Sequence, residues 1–278
     1  MLSHEGKDRS FRANAGLAMV LALAAGIVNA AGFFAVGTYT SHVTGNVSRI
    51  GDELAKGNRD IAFGAFLLVV SFVLGAMSAS LFAEAAKRLG RARYATALVT
   101  EAVILTAFTL ISAAWDPRPG WVDLLLTGSL CFAMGMQNAL VTRISGAVVR
   151  TTHLTGMSTD IGIELAHLVF WLREEGRGKG LSGRLRLLFG VWRNPEFGKL
   201  MLHFAIFSAF GTGAIVGPML YLRHAHLTML LPGFLILGLV VFDLATTLRE
   251  RGRTPDAAPT REGVQVADGA RQGTAGAR

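Results

Sequence analysis

Six stretches of the chain, residues 15–38, 61–83, 94–114, 122–142, 200–222 and 227–248, each run for about 20 residues with few or no charged side chains. No other feature limits the fold so severely. About 20 residues of α-helix, rising 1.5 Å each, cross a hydrocarbon core of roughly 30 Å. Only 17% of the residues are charged, where a soluble domain carries roughly a quarter. The expected fold is therefore all-α: a polytopic membrane helix bundle with six transmembrane helices. Soluble enzyme folds are excluded.

The cations are distributed by side. Of 27 Lys and Arg, three precede the first block, four lie in 84–93, nine in 143–199 and six from Arg249 onward. The intervening loops hold five: Arg49, Lys56, Arg59, Arg118 and Arg223. Cationic loops stay cytoplasmic during insertion, so both termini are expected inside. The net charge of +8 is then a topology signal, and no nucleic-acid partner is expected. The first apolar stretch, Ala15 to Thr38, is longer than a signal-peptide h-region of roughly 7–15 residues and reads as an uncleaved first span. Cys131, the single cysteine, lies inside the fourth block, so no intramolecular disulfide can form; this usage fits a bacterial inner membrane.

The chain also repeats itself. His42 to Ala55 reads HVTGNVSRIGDELA and His153 to Ala166 reads HLTGMSTDIGIELA, identical at eight of fourteen positions. Upstream, Gly26 to Asn29 answers Gly135 to Asn138; downstream, Gly75, Ala76 and Ala79 answer Gly213, Ala214 and Gly217. Three spans per copy is an odd number, which predicts an inverted 3+3 repeat, an arrangement common among secondary transporters. The chain divides into a cytoplasmic N-terminus at 1–14, a first three-helix repeat at 15–114, a second at 115–248 with a basic cytoplasmic loop at 173–199, and a tail at 249–278. The tail is rich in Gly, Ala, Pro and charge, which predicts disorder. Residues 154–172 are apolar but carry Asp160, Glu164 and His167 on one face, so an interfacial or re-entrant helix is expected there. A surface helix is expected over 181–192.

The string SHVTGN after a small-residue first span, with GMQNA and then RTTHLTG in the second half, resembles the YoaK-like family of uncharacterised bacterial multi-pass membrane proteins. The resemblance covers about residues 15–248. It implies the inner membrane and six spans, and it brings no substrate, reaction or cofactor.

The repeated motif carries the candidate chemistry. Ser41, His42, Thr44, Gly45 and Asn46 in one copy, and Thr152, His153, Thr155 and Gly156 in the other, concentrate hydrogen-bonding groups at a helix break. There Thr is expected to cap the next helix and Gly to permit close approach. Freed N–H groups at a helix start suit an anion or a carboxylate. Asn29, Gln137 and Asn138 lie within spans, where amides find partners; they would either line a solute path or tie the first span to the fourth. Glu101, well inside the third span, is the candidate coupling acid. The positions of Asp160, Glu164 and His167 hold Arg49, Glu53 and Lys56 in the first copy, so no metal is assigned. With no Ser-His-Asp set, H-E-x-x-H or phosphate loop, an enzyme is not expected, and no cofactor is. Small residues (Ala22, Gly26 and Ala30; Gly213 and Gly217) predict close helix packing.

The expected function is a permease for a small polar solute or ion held between the first and fourth spans. The alternative is a non-transporting scaffold or sensor that contacts lipid or a partner through the basic inner loop. Expected partners are the lipid bilayer and an unknown small solute or ion; association with further copies of the chain is left open.

Overall fold

The structure is a computed structural model and describes residues 11–89, 94–115, 117–144, 151–191 and 195–251. Among the described residues there are helices and no strands. They are α1 (Phe11–Val36), α2 (Val43–Ala55), α3 (Arg59–Arg88), α4 (Ala95–Ala114), α5 (Gly120–Ile144), α6 (Leu154–Gly176), α7 (Leu181–Gly190), α8 (Pro195–His224) and α9 (Leu230–Arg251), with a 3-10 turn at Ala225–Met229 between the last two.

Five segments are long and apolar enough to cross a membrane: Ala15–Val36, Arg59–Arg88, Ala95–Ala114, Gly120–Arg143 and Phe197–Thr246. The first four match the apolar blocks of the sequence. The last two blocks run together as one segment of 50 residues that takes in α8, the turn and α9. As one straight helix it would be about 75 Å long, more than twice a hydrocarbon core of roughly 30 Å. It is interrupted at Ala225, whose φ of +48° no right-handed helix accommodates. Neither α2 nor α6 is among these segments. The N-terminal residues 1–10, most of the tail and Trp192 lie outside the described residues, so the expected tail disorder does too.

The two halves are joined by two close crossings. α1 packs along α8, and α5 along α3. At the first crossing Gly26 meets Gly213; a Cβ on Gly26 would run into the Phe210 carbonyl, and one on Gly213 into that of Leu23. At the second, Gly135 and Gly75 stand the same way against the carbonyls of Phe72 and Phe132. The small-residue expectation is met, because only a missing side chain lets two backbones approach so closely. α2 lies on α3 and α6 on α8, while α4 packs against α9. The core follows α1 and α5, through Leu21, Ala25, Val28, Leu130 and Met134.

The outer faces remain apolar. Phe63, Phe66, Val73, Met77 and Leu81 of α3 are exposed, as are Ile215, Met219 and Leu222 of α8 and Phe234 and Val241 of α9. In water, contiguous apolar surface on this scale is a liability; in hydrocarbon it is the ordinary outer face. At one end of the bundle Arg118 ties three elements together. It donates to the Ala35 carbonyl at 2.6 Å and to Ser112 Oγ at 3.2 Å, and pairs with Asp123 at 2.9 Å.

Candidate functional site

The two repeated motifs fold into the same device. α1 ends at Gly37, whose φ of +72° is open to a residue without Cβ. The chain then turns back, so that Ser41 reaches Asn29, two turns below the end of α1. The backbone N–H and the hydroxyl of Ser41 both donate to Asn29 Oδ1, each at 3.0 Å. In the second copy the Thr152 N–H donates to Asn138 Oδ1 at 3.3 Å and the Thr151 hydroxyl at 3.4 Å. Asn138 Nδ2 donates to Thr152 Oγ1 and, at 3.1 Å, to the Met134 carbonyl. Each asparagine therefore fastens the break of its own copy. Neither bonds across to the other copy, which resolves one of the two expectations for these amides.

The capping expectation is corrected. The residues that precede α2 and α6 are His42 and His153, and neither helix start has a side-chain cap bond. Thr44 and Thr155 are already the second residues of their helices and too far along to cap them. The glycines serve the histidines: a Cβ at Gly45 would meet the His42 ring, and one at Gly156 the His153 ring. In both copies the imidazole folds back over the first helical turn, into the space that a Cβ at the glycine would take.

Both breaks face one cavity of about 530 Å³. It is lined by the chain at 41–44 and 152–155, by Phe72 and Ser80 of α3, and by Asn138, Thr142 and Arg143 of α5. No residue of α1 is on this lining, so the cavity sits nearer α3 than the expected position between the first and fourth spans. Of the sequence-predicted site residues, Ser41, His42, Thr44, Asn138, Thr152, His153 and Thr155 share the lining. Asn29, Gly45, Asn46, Gln137 and Gly156 are not on it; the first two support the break, and Asn46 and Gln137 are buried. Both amide atoms of Gln137 are buried without a hydrogen-bond partner. Ser80, Thr142 and Arg143 were not singled out by the sequence, since they lie outside the repeated motif. The one signal was a cation five residues past the intramembrane Asn138.

Glu101 lies on the inner face of α4, 1% exposed, and its Oε1 has no hydrogen-bond partner. It is not on the cavity lining. The face that carries Asp160, Glu164 and His167 does not converge. Asp160 and His167 are exposed, while Glu164 is buried and both its oxygens lie 3.0–3.1 Å from His203 Nδ1 on α8. No cluster of three metal-ligating side chains occurs among the described residues. Glu53, which matches Glu164 in the first copy, instead bonds Lys56 at 2.9 Å and Asn58 at 2.8 Å at the end of α2. Those two bonds, Lys56 first, hold its carboxyl below the usual carboxylate range.

A family model described as "Protein of unknown function (DUF1275)" matches residues 17–242. The chain belongs to this family. It is 26% identical over 161 residues, 57% of this chain and 70% of the relative, to the UPF0700 transmembrane protein YoaK of Bacillus subtilis (strain 168). This agrees with the resemblance carried by SHVTGN and GMQNA. No solved structure matches. With a transmembrane relative and apolar outer faces, this DUF1275 member is a multi-pass integral membrane protein.

Proposed function

We propose that the protein is a permease for a small polar solute or ion, whose binding site is the cavity shared by the two His-x-Thr-Gly breaks. The observation that carries this reading is the convergence itself. Two segments 111 residues apart in the chain, each a polar helix break, line one space of about 530 Å³, within the usual range of roughly 300–1,000 Å³ for small-molecule sites. Broken helices at membrane depth are tolerated where they line such a cavity.

The reading includes an inverted repeat of six spans, which the pattern of helix contacts supports. Exchanging the two copies carries the α1–α8 contact onto α5–α3, α2–α3 onto α6–α8, and α1–α9 onto α5–α4; α4–α9 and α1–α5 map onto themselves. The six spans would be α1, α3, α4, α5, α8 and α9. The cation distribution then favours both termini on the cytoplasmic side of a bacterial inner membrane. Ser41, His42, Thr44, Asn138, Thr152, His153 and Thr155 would contact solute, with Asn29, Gly45, Asn46, Gln137 and Gly156 behind them. Glu101 would be the coupling acid, since an intramembrane carboxyl without a partner is a default candidate for carrying a proton. No chemical conversion is assigned to the site.

One observation favours the scaffold alternative: on α7 Phe189 is 82% exposed and Leu185 48%, beside exposed Arg186, a composition suited to an anionic leaflet. The two readings separate in cells that depend on the protein. For a permease, His42→Ala and His153→Ala each abolish the phenotype at normal protein level; for a scaffold, deletion of 176–194 abolishes it and both histidine variants pass. Topology is tested on a Cys131→Ser background with single cysteines at Asn58 and Gly180, past the ends of α2 and α6. An inverted repeat requires an impermeant thiol reagent to reach them from opposite sides. Labelling of both from one side would remove it.

A further inference from the structure

We propose that Arg143 selects an anionic solute at the mouth of this cavity, and that Glu84 is the internal counter-ion which the solute displaces. The solute class is a small carboxylate or an inorganic oxyanion. Its meaning for transport rests on the permease reading, whereas the binding chemistry rests on the cavity alone.

The charge content of the lining carries the inference. Among the described lining residues Arg143 is the one side chain with a permanent charge, and none is a carboxylate. The other polar groups are hydroxyls, the Asn138 amide and the imidazoles of His42 and His153, all of which can donate to an oxyanion. The two helix starts on the cavity, uncapped by side chains, add donors and positive potential of the same sign. They reinforce a site whose charge comes from the guanidinium.

The guanidinium is poised rather than locked. Arg143 Nη1 donates to the Ser80 carbonyl at 3.4 Å, a long bond, and Nη2 pairs with the Glu84 carboxylate. Glu84 is not on the lining, and its side chain is 50% exposed against 30% for Arg143. An ion pair this open to its surroundings contributes little. A carboxylate or oxyanion in the cavity presents two oxygens to the same planar fork and can replace Glu84 on it.

The matched positions in the other half sharpen the assignment. By the correspondence of Gly26 with Gly135 and of Gly75 with Gly213, Arg143 matches Phe34 and Glu84 matches Leu222. Phe34 and Leu222 are exposed and apolar. One end of the pseudo-symmetric pair thus carries an exchangeable cation and the other a hydrophobic surface. A purely structural tie between helices would need no such difference, because Gly–Gly crossings hold both.

The experiment uses the full chain, purified, with Cys131→Ser and Ala139→Cys; Ala139 is on the lining. Labelling by N-ethylmaleimide, a neutral reagent, is timed at constant ionic strength in acetate, succinate, phosphate and sulfate, with choline and glucose as cationic and neutral controls. At least one of the oxyanions is expected to slow labelling by about threefold or more, the protection reached at about twice its dissociation constant. Glu84→Gln should lower the concentration needed, Arg143→Lys should raise it, and Arg143→Gln should abolish the protection while the protein still elutes as a folded species. The gain in Glu84→Gln cannot arise from misfolding. Protection by glucose or choline alone would overturn the anion assignment and leave a permease intact. Arg143-dependent protection in a protein that moves none of the four anions into liposomes would keep the assignment and remove the permease. No protection by any oxyanion, or protection unchanged in Arg143→Gln, overturns the proposal.

Discussion

The break at 37–44 and the break at 151–155 are two copies of one device set in different surroundings. In both, an asparagine two turns from a helix end accepts the backbone N–H of the returning chain, a histidine precedes the next helix, and a glycine makes room for its ring. Beyond that shared frame they part. The α1–α8 crossing carries Phe34 and Leu222 where the α5–α3 crossing carries Arg143 and Glu84, and Glu53 bonds locally where Glu164 reaches another helix. The repeated Asn, His and Gly residues bend the backbone and let helices cross. What differs between the copies is charge or the partner that a charge finds. A frame has to be the same in both halves to fit itself, whereas the charge set beside it has no such requirement.

The frame is broken most directly at its crossings. Gly26→Leu and Gly135→Leu each drive a side chain into a carbonyl of the facing helix, and each is expected to cost about 3 kcal/mol or more, the upper end of overpacking. The readout is the yield and thermal midpoint of purified protein. A large loss in one variant and tolerance in the other would show that the crossings are not equivalent. A smaller effect is expected from the asparagines. Asn138→Ala frees several donors and acceptors at once and should cost about 1–3 kcal/mol. Asn29→Ala, with two bonds from Ser41, should fall at the lower end of that range. The reverse order would mean that the first break bears more of the fold than its bonds indicate.

What the sequence made legible follows from the range of each interaction. Apolar blocks and helix packing glycines repeat locally, so the long apolar helices and the small-residue crossings could be read, as could the doubled motif. The cap was misread because Thr-Gly is a common helix start. What places His42 and His153 before their helices is the pull of Asn29 and Asn138 on the preceding residue, a contact 12 to 14 residues away. Arg143 was missed for a similar reason. Its part in the lining depends on α3 and α5 lying together, 59 residues apart at the Glu84 contact. The face of Asp160, Glu164 and His167 has helical spacing, yet its chemistry is decided by His203 on α8, which no periodicity reveals.

The last comparison sets Glu164 against Glu53. Glu164→Gln, which keeps the shape but not the charge beside His203, should lower the stability by about 1 kcal/mol or somewhat more, because the partner is left in a largely buried place. Glu53→Gln, whose side chain is 13% exposed and whose partners are local, should lower the thermal midpoint by less. Its signature is in titration instead. With its carboxyl held low by Lys56 and Asn58, Glu53 contributes stability above the ordinary carboxylate range and loses it as the pH falls through its own depressed value. Carbon-detected NMR of the side chain should therefore show a midpoint below that of an unperturbed glutamate, and Lys56→Met should move it back up, since the Lys56 bond is the largest cause. A midpoint that does not respond to Lys56→Met would remove the local pair. The comparison would then lose the local charged contact of the first copy that stands against the interhelical one of the second.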